Sequence, residues 1–175
     1  SSDLLVFNAG ADGLDSNGNV EINGGIVLGC GPSNGMDGAL DYDLSGVVNG
    51  GTFILLGSVG NTSGLDQSTH PFVSAQVSGN AGDAVALTDT NGNVLASLTA
   101  GQRFTGIMAS SENMESGQTY RLVVGGTVSG ADAYGYVSGG KVSSGSSTDV
   151  TAGTNAPAGA MGAMGGRGMG AKLHW

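Results

Sequence analysis

The chain has 175 residues, of which 35 are glycine and only 3 proline, and 11% are charged. Fourteen acidic side chains stand against five basic ones, a formal net charge of −9. Such a balance argues against nucleic acid, whose phosphates would be repelled, and against anionic membrane surfaces, but leaves room for cations. No segment approaches the roughly 18 to 20 consecutive apolar residues that span a bilayer, so membrane insertion is not expected. Cys30 is the single cysteine, which rules out an internal disulfide framework and reads as a small apolar filler. A start at Ser1-Ser2-Asp3 without Met suggests either a processed product or a piece cut from a longer chain, and secretion is an expectation inferred from the first of these.

Leu4 to Phe7 reads as a strand ahead of the first Asp-Gly turn. From that turn onwards the chain repeats itself. Leu14-Asp15 recurs as Leu40-Asp41 and Asn23-Gly24-Gly25 as Asn49-Gly50-Gly51, both after 26 residues, while Ile26-Val27-Leu28 recurs as Thr52-Phe53-Ile54. A fixed period of this size is the signature of a solenoid, whose coils cannot bury an apolar face alone. The apolar runs are short and bounded by Asn-Gly-Gly, Gly-Asn and Asp-Gly, which is strand-and-turn punctuation. The expected coil is β. Coil one runs from Asp12 to about Gly31 and coil two from Asp37 to about Gly57. A degenerate third has Gly64-Leu65-Asp66 as its turn and Pro71 to Val77 as its strand. Phe7, Phe53 and Phe72 belong to the core of these strands.

Beyond Gly79 the period breaks. Ala84 to Thr88 and Val94 to Leu98 flank Asp89-Thr90-Asn91-Gly92-Asn93, a hairpin signal in which Asp and Asn act as turn formers. Phe104 to Met108 and Thr119 to Val124 are two more strands, and together they make an antiparallel cap for the solenoid. Tyr134 and Tyr136 mark a short strand, and Ser143 to Ser147 reads as linker. The segment 156–175 alternates Gly with Ala and Met, a composition that needs a neighbour to become ordered. The expected organisation is β coils over 1–78, cap over 79–128, irregular chain over 129–155, and tail over 156–175.

The acidic turns carry the chemistry. Asp12, Asp15 and Asn17 lie in one turn and Asp37, Asp41 and Asp43 in the next, and the period stacks Asp15 on Asp41. Strands lie about 4.8 Å apart, so stacked carboxylates repel unless a cation neutralises them. Calcium, which takes about six to eight oxygen ligands, is the expected ion; the competing reading is that these are turn formers bonded to their own backbone. Asp15 to Asn19 is not an EF-hand start, because Val20 holds the glycine position and Ile26 the glutamate position. His70, His174 and Cys30 give no zinc spacing, and His70 ahead of Pro71 reads as a turn residue. Asn61-Thr62-Ser63 is a formal glycosylation sequon.

Asp12 to Gly18, Asn23-Gly24-Gly25, Gly31 to Gly35, Ala39 to Asp43 and Thr119-Tyr120 ahead of Gly125-Gly126 together resemble a clostridial carbohydrate-binding β-helix family, similar in fold to pectate lyases. The resemblance covers about Leu4 to Gly126. It implies a right-handed parallel β-helix, here its C-terminal portion, on secreted or surface proteins. It also implies bound calcium and non-catalytic binding of acidic or plant-type polysaccharide. Family members carry further upstream coils with Asp-Asp-Gly-Ile turns, which are absent here; a solenoid face at Leu4 leaves strand edges to be paired. Lyase chemistry on this fold uses a base, typically arginine, and Arg103, Arg121 and Arg167 all lie outside the two clear coils, so catalysis is not expected. Tyr42 and Trp175 are the candidate sugar contacts. A different class of function, a structural subunit of an extracellular filament or sheath, is suggested by the open first coil and the glycine-rich tail.

Overall fold

The computed structural model describes residues 3–34, 37–58 and 65–155. The tail, Trp175, Arg167, His174 and the Asn61 sequon lie outside the described residues. Among the described residues the protein is all-β: β1 (Leu4–Asn8), β2 (Leu14–Ser16), β3 (Asn19–Cys30), β4 (Leu40–Tyr42), β5 (Ser45–Gly57), β6 (Val73–Ala75), β7 (Ala84–Thr88), β8 (Val94–Thr99), β9 (Gly106–Ser110), β10 (Thr119–Val124), β11 (Thr127–Val128), β12 (Val142–Ser143) and β13 (Ser146–Thr151), with one 3-10 turn at Leu65–Gln67. No helix among them is long and apolar enough to cross a membrane.

The repeat becomes two parallel ladders. In one, β2 pairs with β4, with Leu14 opposite Leu40 and Asp15 opposite Asp41. In the other, β1 pairs with β3 and β3 with β5, so that Leu4, Ile26 and Thr52 form one column and Val6, Leu28 and Ile54 another. β3 and β5 are long because each turns a corner within the strand. Gly25 and Gly51 adopt φ of 77° and 93° at these corners, a backbone that other residues avoid. The register shifts at the same place, around Asn23.

The run from Phe53 to Leu56 is apolar at every position because both faces of its sheet are covered. Phe53 and Leu55 point into one core with Ile22, Leu40, Val48, Leu65 and Phe72. Ile54 and Leu56 point into the other, formed with Val85, Leu87, Leu98, Tyr120 and Leu122 of a second sheet. That second sheet has the order β13-β10-β7-β8. It therefore covers one face of the five-stranded sheet, packing on Leu28, Ile54 and Leu56.

Of the strands expected as a cap, the one at Phe104 to Met108 does join the five-stranded sheet beyond β5, as part of β9, whereas β7, β8 and β10 pack on the face of that sheet. β9 pairs antiparallel with β5, and β6 pairs antiparallel with β9, so the strand expected to stack directly on β5 lies one place further on, running in the same direction as β5 with β9 inserted between them. Phe72 exchanges backbone hydrogen bonds with Gly153 in both directions, at 2.9 and 3.0 Å. Over the remaining arm of β5, the Ser68 hydroxyl accepts the Val48 N–H at 2.9 Å, and Thr69 and His70 both donate to the Val48 carbonyl.

Two further expectations are corrected. Residues 143–147 are not linker throughout: Ser144 (φ 61°) and Gly145 make a turn into β13, which pairs antiparallel along all of β10. Its sequence, Ser-Ser-Thr-Asp-Val-Thr, is exposed on both faces except at Val150 and so shows no apolar alternation. Tyr134 and Tyr136 do not form a strand, because the Asp132 carboxylate accepts both of their N–H groups, each at 2.9 Å, and draws the chain into a turn. The hairpin of β7 and β8, by contrast, closes at Asn91-Gly92 as the turn chemistry requires, with Gly92 at φ 78°. Cys30 is buried, and desolvation pushes its thiol up, opposed by N–H groups of Gly101 and Gln102.

Glycine also makes room for rings. Gly29 lies opposite Phe7 in the β1–β3 ladder, and a Cβ there would collide with the ring, as one would at Gly13. Gly46 stands in the same relation to Tyr42 and Gly79 to Phe104. Gly29→Ala forces Phe7 out of its place and is expected to cost about 1–3 kcal/mol in chemical denaturation. Gly24→Ala, with nothing within 4 Å of the new methyl, should stay within about 0.5 kcal/mol. Equal losses at the two positions would contradict this packing.

Candidate binding surface

The register that aligns the cores also aligns polar side chains on the outside. At the corner between the two arms of β3 and β5, the Asn49 amide donates to Asn23 Oδ1 at 2.8 Å, and the Thr69 hydroxyl donates to Asn49 Oδ1 at 2.9 Å. Asn23 in turn reaches Glu21 Oε2 at 3.4 Å. A shorter row runs alongside, where the Ser45 hydroxyl donates to Asn19 Oδ1 at 2.9 Å. These groups are solvent-facing, and each amide keeps donor or acceptor capacity after its ladder bond is made. Beside the corner, at the β1 end, lies a concavity of about 490 Å³ with Leu5 and Val27 on its apolar side and Asp3, Glu21 and Asn23 on its polar side. The recurrence of Asn-Gly-Gly is the sequence signal for this row, although by itself it indicates only a turn.

The structure keeps the acidic turns close together but gives their side chains different partners. Asp15 and Asp41 are partners in the β2–β4 ladder, as the period requires. Asp41 Oδ1 accepts the Tyr42 N–H at 2.9 Å, Asp12 Oδ1 accepts at 2.8 Å the N–H of Gly38, 26 residues on, and Asp37 Oδ2 accepts from the Asn34 amide at 2.7 Å. Asp43 meets the neighbouring turn through its backbone, donating to the Ser16 carbonyl at 3.0 Å, and Asn17 occupies the turn between β2 and β3. Several carboxylate oxygens thus hold backbone in the turns. Among the described residues no three His, Cys, Asp or Glu side chains converge as a metal cage. What the ladder supplies is a pair, Asp15 and Asp41, that can share one hard cation only with oxygen donors from elsewhere.

Tyr42 is half-buried, its ring resting over Gly46 and joined to the inner core. It offers an edge rather than an open platform. His70 sits in a bend, its Nε2 3.0 Å from the Ser111 carbonyl oxygen. Of the arginines, Arg121 is engaged by Asp149 at 2.9 Å and by the Thr90 carbonyl at 2.8 Å.

Comparison with family models, curated proteins and solved structures yields no match to this chain.

Asp89 shows what a fully used turn carboxylate looks like. Partial burial pushes it up, but the side chain and N–H of Asn93, the N–H of Asn91 and the nearby Lys141 outweigh that and hold it below its ordinary value of 3.8. A lowered carboxylate contributes stability that is fully present above 3.8 and is lost as the pH falls through its folded value. Asp89→Ala should therefore lower the Tm at pH 6, and the gap to wild type should narrow in thermal scans taken below pH 3.8. A gap that is constant with pH would contradict the assignment.

Proposed function

We propose that this chain is the capped C-terminal part of a right-handed parallel β-helix that binds acidic or plant-type polysaccharide outside the cell and does not transform it. The exposed row of Glu21, Asn23, Asn49 and Thr69 beside the concavity carries this reading. Sugar hydroxyls both donate and accept, so a row of exposed amide, hydroxyl and carboxylate groups offers suitable partners for a chain of them. The family resemblance of the Asp12 to Asp43 turns supports the same class.

Charge selects the conditions. A surface at −9 repels uronates, and Asp15 beside Asp41 repels them most where carboxylates are stacked. Calcium held by Asp15 and Asp41, and completed by carboxylates of the bound polysaccharide, removes that repulsion and supplies the donors the pair lacks.

A second reading, a structural subunit of an extracellular filament or sheath, is favoured by one observation: Leu4 and Leu5 are 49% and 45% exposed on a terminal strand.

Affinity electrophoresis through gels containing polygalacturonate or a neutral galactan separates these readings. Migration should be retarded by polygalacturonate in calcium, and EDTA should release it. Asp15→Asn with Asp41→Asn should weaken retardation about tenfold or more, and Asn49→Ala should weaken it on either polymer. Unretarded migration in all gels, with calcium present, would overturn the binding proposal.

A further inference from the structure

The asparagine row has one sense. Thr69 donates its hydroxyl proton to Asn49 Oδ1 at 2.9 Å, and the Asn49 amide donates in turn to Asn23 Oδ1 at 2.8 Å. Beside it the Ser45 hydroxyl donates to Asn19 Oδ1 at 2.9 Å, so Asn19 and Asn23 both turn their carbonyl oxygen toward β5. Thr69 is fixed at the head of the row by its own N–H, which donates to the Val48 carbonyl at 3.0 Å. That sense decides what Asn49 shows to solvent. In a carboxamide the edge between oxygen and nitrogen faces away from Cβ. Thr69 and Asn23 flank Asn49, so the amide receives on its oxygen from one side and gives toward the other, through the N–H that points away from that oxygen. The second N–H and the second lone pair remain side by side on the outer edge. Asn49 is exposed, and this edge is open to a ligand.

We infer that the Asn49 amide, oriented by Thr69, reads a vicinal diol, and that the bound polysaccharide is selected for linkages that leave such a diol free. An edge that gives and takes one hydrogen bond side by side fits a partner that takes and gives at adjacent atoms, and two hydroxyls on neighbouring carbons do so. A carboxylate, which only accepts, leaves the amide oxygen unmatched, and an isolated hydroxyl fills half of the edge. A 1,4-linked pyranose keeps its 2- and 3-hydroxyls adjacent and free. A 1,3-linked hexopyranose has no two free hydroxyls on neighbouring carbons. The inference rests on the polysaccharide reading above and deepens it: calcium at Asp15 and Asp41 takes uronate carboxylates, while Asn49 takes the diol that neutral and acidic 1,4-linked chains share. Thr69 is a positioning residue that acts through Asn49. Without its hydroxyl nothing holds the Asn49 oxygen on its side, and the outer edge loses its fixed order of donor and acceptor.

Affinity electrophoresis of the full chain in EDTA tests this, through gels containing 1,4-linked galactan, 1,3-linked galactan, or the 1,4-linked polymer after periodate cleavage of its diols and borohydride reduction. Retention by the first should be about tenfold stronger than by the other two, the cost of leaving one side of the amide edge unmatched. Thr69→Val should bring retention by the 1,4-linked polymer down toward that by the 1,3-linked one, and Thr69→Ser, which keeps the hydroxyl, should preserve the preference. Asn49→Asp, which keeps an oxygen but loses both N–H groups, should abolish it. Thr69 and Asn49 are exposed, so all three variants should keep a cooperative thermal transition. Equal retention, or none, on the two galactans by a chain that polygalacturonate still retains in calcium would overturn this inference alone, as would retention that survives periodate or a preference indifferent to Thr69→Val. A chain retained by no gel, polygalacturonate with calcium included, would overturn the polysaccharide reading and this inference with it.

Discussion

The backbone pairing of β3 with β5 in parallel, 26 residues apart, is the constraint on which the other features depend. Once Asn19 lies opposite Ser45 and Ile26 opposite Thr52, every repeated residue is brought beside its copy. Apolar copies then share a core, and polar copies at the corners must satisfy or repel one another. Asn23 and Asn49 satisfy one another, because an amide can donate to the next amide along the stack. Asp15 and Asp41 cannot, because ionised carboxylates only accept. The same register thus makes a neutral amide row at the β3–β5 corner and a mutually repelling carboxylate pair in the β2–β4 ladder.

Glycine content is a consequence of this geometry rather than a sign of looseness. Corners within continuous strands require the positive φ of Gly25 and Gly51, and rings lying flat against the neighbouring strand require Gly29 and Gly46. A chain built in this way has few large side chains, so it gains burial by covering its main sheet on both faces. Phe53 and Leu55 fill the core shared with Ile22, Leu40 and Phe72, while Ile54 and Leu56 meet the flanking antiparallel sheet. The loop that follows β8 also reaches the end of β1, where Gln102 donates to Asn8 Oδ1 at 2.9 Å and to the Ala9 carbonyl at 2.8 Å.

The repeat was legible because its copies are nearly identical in turn residues, and parallel pairing at one period is the way such copies stack. The β7–β8 hairpin was legible through Asn91-Gly92, and β10 through its alternation of Tyr120, Leu122 and Val124. Local signals failed where a partner decides the structure. β13 has no apolar face and is a strand only because β10 offers it backbone partners. Tyr134 and Tyr136 alternate like strand residues, yet a single carboxylate, Asp132, takes both N–H groups. Val73 to Ala75 carries a strand pattern without saying which neighbour it joins, and β9 takes the place beside β5 that a third coil would have filled. Of the candidate site, the Asp15–Asp41 stacking was readable from the period. The Asn23–Asn49–Thr69 row was not, since Thr69 lies outside the repeat and reaches Asn49 only through the covering segment.

The most direct test of parallel stacking is a set of backbone NOEs in the isotopically labelled chain. Stacked coils predict contacts between Val20 and Gly46, between Leu28 and Ile54, and between Leu14 and Leu40, all in the pattern of parallel strands. Antiparallel contacts between the segments around Val20 to Leu28 and Gly46 to Ile54 would contradict it.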